Sequence, residues 1–236
     1  MTQRKFNLNN YKTFIFDCDG VILDSNPLKT KAFEEVASLY GAPDQVRAFI
    51  RYHQERNGIS RFIKFRYFFE NILGRTPPSD YQKDYESCLE LFHEKVLEKL
   101  KIFPVTPGFF DFMESLPPSS RKIIISGTAE VELQEVFKLN HQDHLFNAIY
   151  GSPRKKTEIL TEEKNQGLLK EPALFIGDSS IDYEAAAAFK IDFVFLSQFT
   201  EFFEWKDYFK SKDVFIFKGF TDLNESLIKR SSHEKI

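Results

Sequence analysis

Short runs of apolar residues recur along the chain, and each predicts a buried β-strand. They lie at Thr13–Phe16 and at residues 122–125, 173–176, 193–196 and 214–217. The apolar residues within each run are continuous rather than alternating, which is typical of strands covered on both faces of a parallel sheet.

Segments with helical spacing separate the later strands, at residues 130–139, 156–169 and 181–189. This alternation of strand and helix predicts an α/β fold with a doubly wound, mainly parallel sheet. More than a hundred residues separate the first strand from the second, and their pattern is helical. We therefore expect an α/β core of residues 1–26 and 104–236, with a helical insert of residues 27–103.

Composition narrows the class of protein. The 236 residues amount to about one and a half average domains, which fits one domain with an insert. A net charge of −3 argues against a general nucleic-acid binder, and no apolar run is long enough to span a membrane. Cys18 and Cys88 match neither a disulfide framework nor a metal-ligand spacing, so we expect a reduced compartment, most simply the cytoplasm. We expect a monomer or a weak homo-oligomer.

Phenylalanine occurs 27 times, which predicts either a well-filled core or an apolar surface patch. Residues 199–209 (FTEFFEWKDYF) are the candidate surface, because charges alternate with rings there. The preferred interpretation is an irregular helix that packs its rings on the edge of the sheet.

Polar residues stand where the predicted strands end. Asp17 and Asp19 follow the first strand, Ser126 follows the second, and Asp178 follows the third, with Asp182 one helical turn later. Ligands of open α/β sheets bind beyond the carboxyl ends of the strands. Carboxylates that converge there repel one another, and a divalent cation removes that conflict. Hard oxygen ligands with room for water favour Mg²⁺, which in turn suggests a phosphorylated ligand.

Glycines adjoin two of these positions. Gly20 follows Asp19 and Gly127 follows Ser126. A glycine lets backbone N–H groups approach an anion closely. We therefore assign Gly20, Gly127 and the neighbouring Thr128 to substrate binding.

These residues resemble four motifs of the haloacid dehalogenase superfamily of phosphotransferases. Residues 17–25 (DCDGVILDS) resemble the first motif, residues 126–128 (SGT) the second, and residues 177–182 (GDSSID) the fourth. Lys155 or Lys156 stands where the third motif has its lysine, and we prefer Lys156. The insert lies where the family carries its helical cap, so residues 27–103 are called the cap below.

The resemblance implies a role for each motif residue. Asp17 would attack phosphorus and form an aspartyl-phosphate, and Asp19 would act as general acid and then general base. The family's Mg²⁺ would be held by the Asp17 carboxylate, the Asp19 carbonyl and Asp178. Ser126 would bind the phosphoryl group.

The motif-three lysine would balance charge around the nucleophile and the phosphate. Asp182 is grouped with the metal site, and it would orient either this lysine or a metal-bound water. Retention of Asp19 favours a phosphatase or a sugar-phosphate mutase over a dehalogenase.

The cap contains a second resemblance. Residues 58–61 (GISR) resemble the loop of β-phosphoglucomutases whose arginine grips a second phosphate, which assigns Ser60 and Arg61 to substrate binding. The basic stretch around it, with His53, Arg56, Lys64 and Arg66, has the alternative interpretation of a solvated helix face. Lys29 stands where the mutases have histidine, which argues against mutase activity.

The sequence thus predicts a Mg²⁺-dependent phosphatase of a small phosphorylated metabolite, a sugar phosphate or a phosphoglycolate-like acid. A β-phosphoglucomutase-like mutase is the alternative within enzymes. A non-catalytic protein that retains the fold is the alternative from another class.

Overall fold

The computed structural model describes residues 6–76, 78–100 and 105–233. Its centre is a six-stranded sheet in the order β3-β2-β1-β4-β5-β6, in which every neighbouring pair is parallel. The strands are β1 (Thr13–Phe16), β2 (Arg121–Ala129), β3 (Ala148–Ser152), β4 (Ala173–Gly177), β5 (Asp192–Leu196) and β6 (Phe215–Phe217). The predicted α/β class with a parallel sheet is confirmed.

Two features of the sheet differ from the prediction. The edge strand β3 was not predicted, because its sequence AIYGS is short, contains small residues and is only half-buried over its first three positions. The second strand continues past residue 125 to Ala129, with an irregular register between Ile125 and Ala129. Ser126 therefore lies within β2 rather than after its end.

Helices connect the strands and cover both faces of the sheet. They are α1 (Asn26–Ala37), α2 (Pro43–Glu55), α3 (Arg61–Tyr67), α4 (Gln82–Leu100), α5 (Phe109–Ser115), α6 (Glu130–Leu139), α7 (Lys156–Asn165), α8 (Ser180–Ala188), α9 (Trp205–Phe209) and α10 (Phe220–His233). A π-helical turn, Phe68–Ile72, follows α3.

In the segment assigned to the cap, all the regular secondary structure that is described is helical. It contains α1 to α4, and α1 begins at Asn26, one residue before the expected boundary. The expected return to the core, between residues 103 and 104, lies outside the described residues. None of the helices in the described part of the chain has both the length and the apolar content needed to cross a membrane.

The alternation of side chains along β1 divides the core into two layers. Phe14 and Phe16 belong to a cluster that continues into the cap, whereas Ile15 points into the layer beneath α7, α8 and α9. Among the described residues, the largest fully buried side chains are all phenylalanines. The excess of phenylalanine noted in the sequence is therefore located mainly in the core.

The aromatic segment 199–209 packs most of its rings against the sheet, which was the preferred interpretation. Phe202 and Phe209 are buried, and the Phe209 ring lies 4.8 Å from the Phe195 ring of β5, centroid to centroid. Phe203 is 70% exposed. The segment therefore covers the sheet with most of its rings and leaves one in solvent.

Phe65 packs at the centre of the cap, where its ring contacts those of Phe33, Phe49 and Phe92. Because the side chain is fully buried, we expect Phe65→Ala to lower the free energy of unfolding by about 3–5 kcal/mol. The control Phe203→Ala removes an exposed ring, and a change within about 0.5 kcal/mol is expected. Urea denaturation measures both, and equal losses would contradict this description of the core.

Candidate active site

The first and fourth strands bring their terminal aspartates together. Asp17 follows β1, and its backbone N–H donates to the carbonyl oxygen of Ile176 in β4 at 2.9 Å. Asp178 follows β4 directly, so both carboxylates emerge at the carboxyl edge of neighbouring strands. A Cβ on Gly177 would lie 2.5 Å from the Asp182 Cβ, which means that only glycine leaves space for the Asp182 side chain.

Asp182 is held by the first turn of α8. Its Oδ2 accepts hydrogen bonds from the backbone N–H of Ser179 at 3.1 Å and from the Ser179 hydroxyl at 2.6 Å. The Ser179 hydroxyl in turn accepts from the Asp182 backbone N–H. This reciprocal arrangement is a capping box, and it leaves Asp182 Oδ1 directed at the other acids.

Three carboxylates converge at this edge. Asp17, Asp178 and Asp182 each place one oxygen within 4.8 Å of the others, and all are buried. Burial raises the pKa of Asp17 to about 7 and raises the pKa of Asp178 well above its usual range, with repulsion between the acids adding to both. Among the described residues, buried Asp178 Oδ1 has no hydrogen-bond partner. An unpartnered carboxylate oxygen among hard oxygen donors suits Mg²⁺.

Lys156 joins two of these acids. Its Nζ donates to Asp17 Oδ1 at 2.8 Å and to Asp182 Oδ1 at 2.5 Å. Burial alone would lower the pKa of Lys156, but the two carboxylates raise it above its ordinary value, so the side chain is an ammonium ion. Lys155, the other candidate, precedes α7 with an exposed side chain. The geometry brings Lys156, and not Lys155, to the acids.

Asp19 lies in a separate set of contacts. Its carboxylate accepts hydrogen bonds from the Ser25 hydroxyl, from Lys29 Nζ at 2.6 Å and from the Thr128 hydroxyl at 2.7 Å. Burial would raise the pKa of Asp19, but the Lys29 ammonium and these hydrogen bonds lower it below 3.8 overall. The Asp19 carboxylate is therefore ionised and is not one of the three converging acids.

The two glycines assigned to substrate binding lie at close approaches. Gly20 has φ +76°, and a Cβ there would lie 2.2 Å from Asp178 Oδ2. The same Asp178 oxygen accepts from Asn26 Nδ2 at 3.0 Å, a contact that the sequence analysis missed. A Cβ on Gly127 would lie 2.5 Å from the carbonyl oxygen of Gly58, which belongs to the cap. Backbone therefore meets backbone where the cap faces β2.

Ser126 is buried beside this contact, and its hydroxyl accepts from the backbone N–H of Thr128 at 3.2 Å. The Thr128 hydroxyl reaches Asp19, as described above. The structure thus brings Ser126 and Thr128 to the edge of the sheet where Asp17 and Asp19 lie, with Gly127 between them.

A cavity of about 40 Å³ lies between the cap and the sheet edge. Asp17, Asp19, Gly127 and Thr128 line it from the core. This volume accommodates water molecules and is far below the roughly 300 Å³ at which ligand pockets begin. A larger cavity of about 250 Å³ adjoins it at the same edge, with Gly58 and Ser60 of the cap and Ser126 and Lys156 of the core in its lining.

The predicted cap residues lie at this interface. Arg61 lines the cavity, and its Nη1 donates to Glu132 Oε2 of α6 at 2.8 Å. The same Glu132 oxygen lies 2.9 Å from His93 Nδ1 of α4. Ser60 is buried before α3, where its hydroxyl accepts from the Phe62 backbone N–H at 3.3 Å. Arg61 thus reaches the cavity with its charge paired to the core.

Some basic residues of the cap form a solvated helix face, and others are buried at the cavity. Arg56 and Arg66 are exposed, as expected for a solvated helix face. His53 and Lys64 are buried and line the cavity, as does Lys29. The signal for them in the sequence was their position near the GISR loop, but helical spacing alone did not separate the buried residues from the exposed ones.

Comparison with known proteins gives three kinds of match. A family model described as haloacid dehalogenase-like hydrolase matches residues 14–196. A phosphoglycolate phosphatase of Nitrosococcus oceani is 26% identical over 197 residues, which cover 80% of this chain and 85% of that protein.

Solved structures share the fold at lower identity. A hydrolase from Pseudomonas syringae superposes with a TM-score of 0.70 at 19% identity, covering 92% of this chain and 98% of that one. A haloacid dehalogenase-like family hydrolase from Streptococcus pneumoniae has a TM-score of 0.63 at 20% identity, covering 92% and 99%.

The three converging acids lead to a prediction about stability. Asn at position 178 has no charge to bury, so we expect Asp178→Asn to stabilise the chelator-treated protein by about 0.5–2 kcal/mol. The raised pKa of Asp178 means that this carboxyl holds its proton to higher pH in the folded protein than in the unfolded chain. The contribution of Asp178 to stability is therefore lost as pH rises, and the advantage of the variant grows from pH 5 to pH 8.

Thermal unfolding with chelator and with Mg²⁺ measures this effect. Mg²⁺ is expected to raise the midpoint of wild type and of the exposed control Asp111→Asn, but not that of Asp178→Asn. A variant that is less stable in chelator, or that keeps the full response to Mg²⁺, would contradict the assignment.

Proposed function

The chain belongs to the haloacid dehalogenase-like hydrolase family, and we propose that it is a Mg²⁺-dependent phosphatase of a small phosphorylated metabolite. The observation that carries this proposal is the buried pairing of Lys156 with Asp17 and Asp182 beside the unpartnered oxygen of Asp178. The phosphoglycolate phosphatase of N. oceani favours a substrate of the phosphoglycolate kind.

Asp17 is the proposed nucleophile. Its carboxylate oxygen attacks phosphorus, the new O–P bond forms, and the bond from phosphorus to the ester oxygen breaks. Asp19 takes up the proton that a monoanionic phosphate ester carries and donates it to the departing ester oxygen, which leaves Asp19 ionised again. A water molecule then attacks the aspartyl-phosphate, Asp19 takes its proton, and inorganic phosphate leaves with Asp17 regenerated. The ionised Asp19, with its hydrogen bonds from Lys29 and Thr128, has the form that the second step requires.

Lys156 and Ser126 support this chemistry without reacting. The Lys156 ammonium holds the Asp17 carboxylate in one orientation and offsets the negative charge that the phosphoryl group brings. In this proposal the Ser126 hydroxyl and the backbone N–H of Gly127 hydrogen-bond the phosphoryl oxygens, whereas the Gly20 N–H donates to the carbonyl oxygen of Leu23 at 2.8 Å.

The donor set described above fits Mg²⁺. Asp17, Asp178 and the Asp19 carbonyl would hold it, with Asp182 close by. When bound, it would neutralise the converging carboxylates and the phosphoryl charge.

We assign residues 27–103 to a cap that closes over the substrate. The backbone contact between Gly58 and Gly127 supports closure by direct contact, and the small cavity behind it supports exclusion of bulk water. Arg61 lines this cavity and Ser60 lines the cavity of about 250 Å³ beside it, and we assign both residues to substrate binding.

We expect Asp17→Asn to reduce Mg²⁺-dependent phosphate release by roughly 10³-fold or more, because the amide lacks a nucleophilic oxygen anion. Release is measured on a panel of phosphorylated metabolites, with Mg²⁺ and with chelator. Asp111→Asn, an exposed aspartate on α5, serves as the control and is expected to keep wild-type activity.

Three outcomes would contradict the proposal. Phosphate release that persists in Asp17→Asn would show that Asp17 is not the nucleophile. Isomerisation of a hexose 1-phosphate that depends on a bisphosphate would identify a mutase. No release from any compound would favour a non-catalytic binding protein.

Adjacent lysines offer a matched pair of variants. Lys156→Gln is expected to lower kcat by about 10²–10³-fold, because the charge opposite the phosphoryl group is lost. Lys155→Gln, one residue earlier and exposed, is expected to stay within about twofold of wild type. Circular dichroism verifies that both variants are folded, and the reverse order of the effects would reassign the lysine.

A further inference from the structure

Among the described residues that line the cavity, three carry a basic side chain with a buried cationic group: Lys29, Arg61 and Lys64. Lys29 Nζ lies 2.6 Å from Asp19, and Arg61 Nη1 lies 2.8 Å from Glu132. The charge of each of these two is therefore balanced by a carboxylate in direct contact.

Lys64 differs from the other two. Only 3% of it is exposed, and its Nζ makes a hydrogen bond to His53 Nδ1 at 2.7 Å. Within the described parts of the chain, no carboxylate lies within 4 Å of that nitrogen. An ammonium group has three N–H donors, so two of them remain for a ligand in the cavity.

A chain of side chains holds Lys64 in this position. Burial and the nearby Lys64 charge lower the pKa of His53 well below its usual range, so the imidazole is neutral and Nδ1 accepts from Lys64. His53 Nε2 then donates to the Thr30 hydroxyl at 2.8 Å, which donates to Glu201 at 2.6 Å. Glu201 lies after β5 in the core, and its Oε2 is 3.6 Å from His53 Nε2, so the His53 side chain separates its negative charge from Lys64.

We propose that Lys64 binds a second anionic group of the substrate, a carboxylate or a second phosphate, at the end away from Asp17. A buried cation without a contacting anion is costly, and an anion on the substrate offsets that cost. Lys64 is then the residue that determines specificity for doubly anionic substrates. This inference rests on the proposed phosphatase function.

The electrostatics of the cavity agree with the geometry. Burial lowers the pKa of Lys64 to about 7, with the Lys29 charge lowering it further and Glu201, Asp19 and Asp17 raising it. His53 faces Lys64 as a neutral group. Lys64 therefore loses its positive charge as pH rises through about 7, and a bound anion would retain the proton.

The test compares three phosphate esters that differ in the second group: 2-phosphoglycolate, 2-hydroxyethyl phosphate and ethane-1,2-diol bisphosphate. Lys64→Gln is expected to lower kcat/KM for an anionic ester by about 10–100-fold and to leave 2-hydroxyethyl phosphate within about twofold. The anionic ester that shows the larger loss of kcat/KM identifies whether the second group of the natural substrate is a carboxylate or a phosphate. Lys31→Gln removes an exposed lysine from the same cap and is expected to change none of the three.

An equal loss on all three esters, or no loss on any, would overturn the inference while leaving the phosphatase function intact. If wild type hydrolyses none of them, the metabolite panel decides the proposed function and calorimetric binding of these esters decides the inference separately. Tighter binding of 2-phosphoglycolate than of 2-hydroxyethyl phosphate, lost in Lys64→Gln, would support it. Equal binding would overturn it.

A second variant tests the charge of Lys64 through the pH dependence of kcat/KM, which is a readout separate from folding. Glu201→Gln keeps a hydrogen-bond acceptor for Thr30 but removes the carboxylate that raises the pKa of Lys64. The ratio of kcat/KM for 2-phosphoglycolate to that for 2-hydroxyethyl phosphate is expected to fall above about pH 7 in wild type. In Glu201→Gln this fall is expected at lower pH. An unchanged pH profile would overturn the proposed role of the hydrogen-bonded side chains that link Lys64 to Glu201.

Discussion

The repulsion between carboxylates at one edge of the sheet is the constraint on which the site depends. Parallel pairing of β1 with β4 delivers Asp17 and Asp178 to the same place, and the first turn of α8 adds Asp182. Without positive charge these groups would not share a buried volume. Lys156 supplies part of that charge through two direct ion pairs, so a residue at the start of α7 holds together the end of β1 and the first turn of α8.

Local patterns predicted the parts of this arrangement that depend on chain direction and burial. Continuous apolar runs identified five of the strands, and the residues after them included Asp17 and Asp178. The same patterns missed β3, because an edge strand with small and half-buried residues lacks the apolar signal. Ser126 was placed after its strand, since the irregular end of β2 depends on pairing with β3 and not on local sequence.

The cavity side of the site could not be predicted for a different reason. Lys64, His53 and Thr30 come from three helices, and Glu201 follows the fifth strand, so their contacts arise from tertiary packing. Spacing along one helix reports which residues share a face, but it does not report what covers that face. The two ends of the chain of hydrogen bonds therefore lie more than a hundred residues apart in the sequence.

The glycine contact between cap and core has a consequence for how such a site can change over evolutionary time. Gly58 and Gly127 meet through backbone atoms, so the gap between the two parts is set by a spacer that carries no side chain. This contact itself does not depend on which side chains line the cavity. The closing distance and the choice of substrate are thus separable traits, and new specificities can arise on the cap while the reacting groups keep their spacing.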